Sequence, residues 1–273
     1  MTPAQERSMA MPAKALLVGT GRVAFHLGHG LKRAGLELVG VAGRSGTHVR
    51  SLAETLLVPG FILGEPLPPA DLMLIAVSDD AIAPVVKEIP ITTAVVVHTS
   101  GVGDLDRLQP HPDRAVLWPV ISMGPGAPLD LRAVPLVIDA NTERARKAVK
   151  DLADGLSDQV LALDHHRREL VHAAAAISLN LPTFLLQRAQ ALLQREGIDP
   201  SVLTPSFVAM GQKIATVGAA AALTGPARRG DLGTIHLHLA RLADDPELRA
   251  AYARLSSMIL RAYDHPDHGN TDV

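Results

Sequence analysis

A chain of 273 residues, 47% of them apolar, is large enough for one big core or two modest ones, and its formal net charge of −2 lacks the basic excess that nucleic acid or an anionic membrane surface attracts. The absence of cysteine rules out disulfides, thiolate metal sites and cysteine nucleophiles together. Residues 1–12 carry no apolar signal core, so they read as a polar tail and the expected compartment is the cytoplasm.

The first patterned segment, Lys14-Ala-Leu-Leu-Val18, is an apolar strand that runs into Gly19-Thr20-Gly21-Arg22-Val23-Ala24 and then into an amphipathic helix. Strand, glycine turn and helix stand in the order a dinucleotide pyrophosphate requires. Gly19 permits the tight turn, Gly21 lets the backbone approach the phosphates, and the small Ala24 lets the helix pack closely on the strand. The helix starting near Arg22 turns its free N–H groups toward the anion. The second strand, Glu37–Ala42, ends in Gly43-Arg44-Ser45. A dinucleotide without a 2′-phosphate calls for a carboxylate there, about 20 residues past the first glycine. A guanidinium and a hydroxyl suit a 2′-phosphate instead, which selects NADP(H) over NAD(H). The competing reading of Arg44 is a solvated loop charge.

Short apolar strands then alternate with helical segments to about Leu163, the pattern of a mainly parallel, doubly wound α/β sheet. Further strands are expected at Leu72–Ala76 and Ala94–His98, with weaker signals at Val116–Pro119, Leu136–Asp139 and Gln159–Ala162. Val77-Ser78 and Thr99-Ser100 follow two of these strands and are expected to line the ligand cleft beyond the carboxyl ends, although both pairs are also ordinary turn residues.

From His165 to Tyr263 only helical patterns occur, broken at Gly197–Pro200, Gly225-Pro226 and Asp244–Pro246, which predicts a helical second domain of about four helices. The boundaries are 13–163 for the dinucleotide-binding domain and 164–264 for the helical one, with residues 265–273 a polar tail expected to be disordered. The charge-free stretch Leu170–Gln187 is almost long enough to span a bilayer. Its His172, Asn180, Thr183 and Pro182 point to a buried helix of a soluble protein. Pro182 is expected to kink or loosen the turn near Ser178. His172 and Asn180, about 12 Å apart along one helix, are candidate catalytic groups, as are Lys213 in the apolar segment Phe207–Leu223 and Arg229. Each has a structural alternative: a hydrogen-bonded core histidine, or an asparagine satisfying backbone freed by the proline. Asp231 reads as the cap of the helix carrying His236. The histidines at 165, 166, 236 and 238 are adjacent or two apart, a spacing that puts no two on one helix face, so no metal site is expected.

The glycine turn, His98-Thr-Ser-Gly101, Arg168-Glu-Leu-Val-His172…Asn180 and Thr224-Gly-Pro-Ala-Arg-Arg-Gly-Asp231…His236-Leu-His-Leu239 together resemble the Rossmann-like proteins that carry domain of unknown function 2520, from about Lys14 to Tyr263. Trp118-Pro-Val-Ile-Ser122 resembles the Tyr-Pro-Leu-Gln-Thr segment of one branch. The resemblance implies a Rossmann domain followed by an all-helical domain that commonly dimerises, an architecture similar to pyrroline-5-carboxylate reductase, ketopantoate reductase and 6-phosphogluconate dehydrogenase. It implies an NADP(H)-dependent oxidoreductase moving hydride to or from a small, anionic carbonyl or imine in an interdomain cleft. His172 would be the proton donor or relay, Asn180 would hold the substrate, Arg229 would bind its carboxylate, and Lys213 would be the reserve acid. In hydroxyacid dehydrogenases a lysine four residues before the asparagine gives the proton; here that position is Ala176. An imine, which arrives protonated, has less need of that acid. A non-catalytic NADP(H) sensor or scaffold is the alternative, and a deazaflavin-linked reductase a minor third.

Overall fold

The computed structural model describes residues 14–265, and the two expected tails lie outside that range except for His265. Eight strands form one sheet in the order β3-β2-β1-β4-β5-β6-β7-β8. They are β1 (Lys14–Val18), β2 (Glu37–Gly43), β3 (Gly60–Ile62), β4 (Leu72–Ile75), β5 (Val95–His98), β6 (Arg114–Pro119), β7 (Leu136–Ala140) and β8 (Val160–Ala162). Every neighbouring pair is parallel except β6 and β7, which run antiparallel. The seven strands expected from the sequence are present, and β3 is an eighth. Its three residues are too few to show a period, and it pairs with Val41–Gly43 at the sheet edge.

Side-chain alternation along the strands builds two cores. Ala15 and Leu17 of β1 face one layer with helices α1 (Arg22–Arg33), α2 (Gly46–Leu56) and α4 (Glu143–Leu156). Leu16 and Val18 face the other, against α3 (Asp79–Lys87). Ala24 is fully buried, as close packing of α1 on β1 demands. The chain order reverses between β1 and β4, which opens a crevice at their carboxyl ends.

The helical part begins with α5 (His165–Ala175), continues through one π-helical stretch at Ala176–Asn180, and runs on as α6 (Leu181–Arg195). The π stretch lies just ahead of Pro182, whose ring nitrogen has no proton to give Ser178, so the loosened turn falls where the sequence places it. Then come α7 (Thr204–Val217), α8 (Ala219–Ala222), α9 (Pro226–Arg229), α10 (Leu232–Arg241) and α11 (Pro246–Ala262). The expected helix Phe207–Leu223 is therefore two. Gly218 takes a φ of +79° and ends α7, a conformation that favours glycine.

The chain divides into two compact units, one ending at Asn180 and the other starting at Leu181. In the second unit Ala227, Ile235, Leu239, Ala253 and Leu260 make a small core joining α9, α10 and α11. Asp245 caps α11 and takes two hydrogen bonds from Arg188 at 2.7 and 2.9 Å, which ties α6 to that core. The expectation of a buried helix over Leu170–Gln187 is not met in the single chain. His165–Arg195 is helical and apolar enough to cross a membrane by length and composition, yet no residue of its most apolar window is buried. Leu170, Ile177, Leu181 and Phe184 are all more than half exposed.

Candidate functional site

The glycine turn is built by its own backbone. Gly19 has a φ of +126°, and a Cβ there would collide with the carbonyl oxygen of Ala76 at the end of β4. Its N–H donates to Ala42 O at 2.8 Å, so the ends of β1, β2 and β4 meet at one point. Val77 packs beside Gly19, and the exposed Ser78 stands at the N-cap position of α3 with its side chain making no capping hydrogen bond. Gly21 precedes α1, and a Cβ added there would meet nothing within 4 Å, leaving clear space in front of the helix. No side chain caps α1 and its first turn carries no acid, so its N–H groups and positive dipole end are uncommitted. Val23 faces inward from that turn and packs against the core.

Beside the turn lies a cavity of about 460 Å³, lined by Thr20 and Arg22, by His48, Ser51 and Thr55 of α2, and by the Gly124–Gly126 loop. His26, buried on α1, holds that loop at both ends: its Nε2 donates to Gly124 O at 2.9 Å, and its Nδ1 accepts from Leu129 N at 3.2 Å. Arg44 and Ser45 follow β2 directly and are exposed, with Ser45 at the N-cap of α2. Arg44 and Arg22 have no side-chain partner among the described residues, and the first turn of α2 is also free of acids. Uncommitted cations, two open helix starts and a glycine turn fit a dinucleotide carrying an extra phosphate.

A second cluster stands at the carboxyl ends of β5 and β6. His98, fully buried, accepts from Ser100 N at Nδ1 (3.1 Å) and donates from Nε2 to Asp104 O (3.2 Å), which fixes it as the neutral tautomer. Burial, reinforced by the nearby Arg168 charge, lowers its pKa to about 4. Ser100 Oγ accepts from Val102 N and Gly103 N at 3.2 and 2.7 Å and so shapes the loop. Thr99 and Gly101 of that loop are buried as well. A Cβ on Gly101 would come within 2.5 Å of His172 Cδ2 and 2.7 Å of Trp118 Cε2, so only glycine allows these three residues to meet. The His172 ring lies 5.4 Å from that of Trp118, tilted by 47°, and neither of its nitrogens is hydrogen-bonded among the described residues.

The structure thus gathers Gly19 to Ala24, Val77 and the end of β2 at one point, and Thr99, Ser100 and His172 at another. Asn180 is exposed at the end of the π stretch. Lys213 and Arg229 belong to the second unit, where Lys213 Nζ donates to Ala222 O at 3.3 Å and Arg229 sits 3.9 Å from Asp231. Asp231 caps α10 through Thr234 N, as expected. Sequence reasoning passed over Arg168 and the loop-shaping role of His98. The only signal for Arg168 was its place four residues before His172, on the same helix face.

A Rossmann-like domain matches residues 1–122, and the domain of unknown function DUF2520 matches residues 134–259. The chain thus carries a Rossmann-like domain followed by a DUF2520 domain. No curated protein matches it. Among solved structures it is similar to a candidate NADP oxidoreductase from Bacteroides fragilis, with 28% identity and a TM-score of 0.83, covering 91% of this chain and 98% of that one. It shares its fold with a 1-pyrroline-5-carboxylate reductase from Streptococcus pyogenes (17% identity, TM-score 0.63, 91% and 98% covered). An imine reductase from a Pseudomonas species shares it too (17% identity, TM-score 0.61, 92% and 95% covered).

Proposed function

We propose that this protein is an NADP(H)-dependent oxidoreductase acting on a small, anionic carbonyl or imine. The observation that carries the reading is the pairing of the open glycine turn with unpartnered Arg44 at the end of β2. The pyrophosphate would face the N–H groups of α1, and the 2′-phosphate would face Arg44 and Ser45. Val77, Ser78, Thr99 and Ser100 would line the remaining length. When bound, the nicotinamide supplies or accepts the hydride.

His172 is the residue proposed to move the proton. Its ring is held by Trp118 and the bare Gly101 backbone, while its nitrogens stay uncommitted among the described residues. An imidazole so placed has the geometry of a general acid or base. Asn180 is proposed to hold the substrate heteroatom, Arg229 to bind a carboxylate, and Lys213 to be the reserve acid. A cytoplasmic homodimer formed through the helical domain is the proposed working form, with the exposed apolar residues of α6 and α7 at its interface. The candidate NADP oxidoreductase at 28% identity supports the cofactor and the reaction class.

The test is discharge of NADPH by a panel of cyclic imines, 2-oxoacids and aldehydes, followed by the nicotinamide absorbance. At least one compound should oxidise the cofactor, and His172→Gln should lower kcat by about a hundredfold or more. Ala176, which opens the π stretch and offers no proton, favours a second reading in which NADP(H) is held without turnover. Tight NADPH binding with no discharge by any compound would support that reading and overturn the first.

A further inference from the structure

Arg168 is the largest side chain that is completely buried, and it lies outside the machinery proposed so far. Burying a guanidinium carries a large desolvation cost, which an apolar residue of similar volume avoids, so its value must lie in the contacts it makes. Those contacts join three segments far apart in sequence. Nη1 donates to Asp139 Oδ2 of β7 at 2.9 Å, and Nη2 donates to Gly103 O of the loop after β5 at 2.5 Å. Nη2 also lies 3.0 Å from Nδ1 of His165 at the start of α5. A planar fork with fixed donor directions can satisfy such a set, whereas an ammonium or a leucine cannot.

What those contacts hold is the second cluster. Gly103 closes the loop in which Ser100 accepts two backbone N–H groups and Gly101 touches both rings. Arg168 and His172 lie one turn apart on α5, so fixing one fixes the height and rotation of the other. Val171, between them, packs with Val116, Trp118 and Val137, which supplies adhesion without direction.

We infer that Arg168 is a positioning residue whose buried guanidinium locks the Thr99–Gly103 loop and the His172 face of α5 into a single register against Trp118. The inference rests on reading Thr99, Ser100 and His172 as site residues. It acts at that end alone, since none of its contacts reaches the glycine turn or Arg44.

Trp118 is the chain's single tryptophan and only 9% exposed, so its fluorescence reports on this register directly. Arg168→Met and Arg168→Lys are compared with the unaltered protein by acrylamide quenching and by affinity for 2′,5′-ADP and NADPH. The expected result is readier quenching of Trp118 and about tenfold weaker NADPH binding, with 2′,5′-ADP affinity unchanged and lysine restoring little. A folded Arg168→Met protein with unaltered quenching and unaltered NADPH affinity overturns the inference, as does an equal loss for both ligands. Should Arg168→Met fail to fold, Asp139→Asn and His165→Ala each remove one partner and are read by the same signals. Failure of the unaltered protein to bind 2′,5′-ADP contradicts the NADP(H) reading instead, and the positioning role then stands or falls on Trp118 quenching.

Discussion

Gly19 carries two constraints at once, a φ of +126° and a backbone contact with Ala76 that leaves no room for a Cβ. Gly19→Ala should therefore destabilise the protein by about 1–3 kcal/mol and abolish dinucleotide binding, read by thermal melting and by calorimetric titration with NADPH. His98 makes a different kind of prediction. Folding lowers its pKa to about 4 from the ordinary histidine value of 6.5, so between those values the unfolded chain binds one proton more than the folded one. Stability should rise with pH across that window, fall as pH drops from 6.5 toward 4, and change no further through this group below it. The full span amounts to roughly 3 kcal/mol. Urea unfolding at several pH values checks this, and His98→Asn should flatten the slope. Arg44 and Arg168 show how far a residue's role is legible in the chain. Arg44 follows a glycine turn at a fixed distance, so its chemistry can be argued from spacing alone. Arg168 has a partner at Asp139 and another at Gly103, and neither separation follows any helical or strand period.

At the scale of elements, the strands of the sheet were readable because both faces are covered, which makes each an unbroken apolar run. β3 escaped because three residues carry no pattern, and the break at Gly218 escaped because the alanines that follow it, Ala219–Ala222, carry on the helical composition. The π stretch was legible through Pro182, whose missing N–H acts locally. The meeting of β5, β6 and α5 was not, since it depends on a glycine being bare toward two distant rings. Gly101→Ala tests that junction. It should displace His172 from Trp118, raise acrylamide quenching of the tryptophan, and lower kcat on any substrate found, with little change in affinity for 2′,5′-ADP. Unchanged quenching would mean the junction tolerates a methyl group and that His172 is held by other contacts.

At the scale of the molecule, the second unit carries exposed apolar residues along α6 and α7, where Leu181, Phe184, Val208 and Val217 are each about half exposed or more. Composition alone suggested a buried helix; burial of that face requires a partner that the chain's own sequence does not display. If a second copy covers it, light scattering coupled to gel filtration should give twice the 28.8 kDa chain mass, and Phe184→Glu should return the protein to one copy. A monomer that partitions onto lipid vesicles would contradict the dimer and assign the face to a membrane. The central claim, that the molecule is organised around NADP(H), is tested most directly by calorimetric titration of the same preparation with NADPH and with NADH. The account predicts NADPH bound at least about tenfold more tightly, with that preference erased in Arg44→Ala while NADH affinity stays as it was. Equal affinities for the two dinucleotides, or an Arg44→Ala protein that still prefers NADPH, would contradict it.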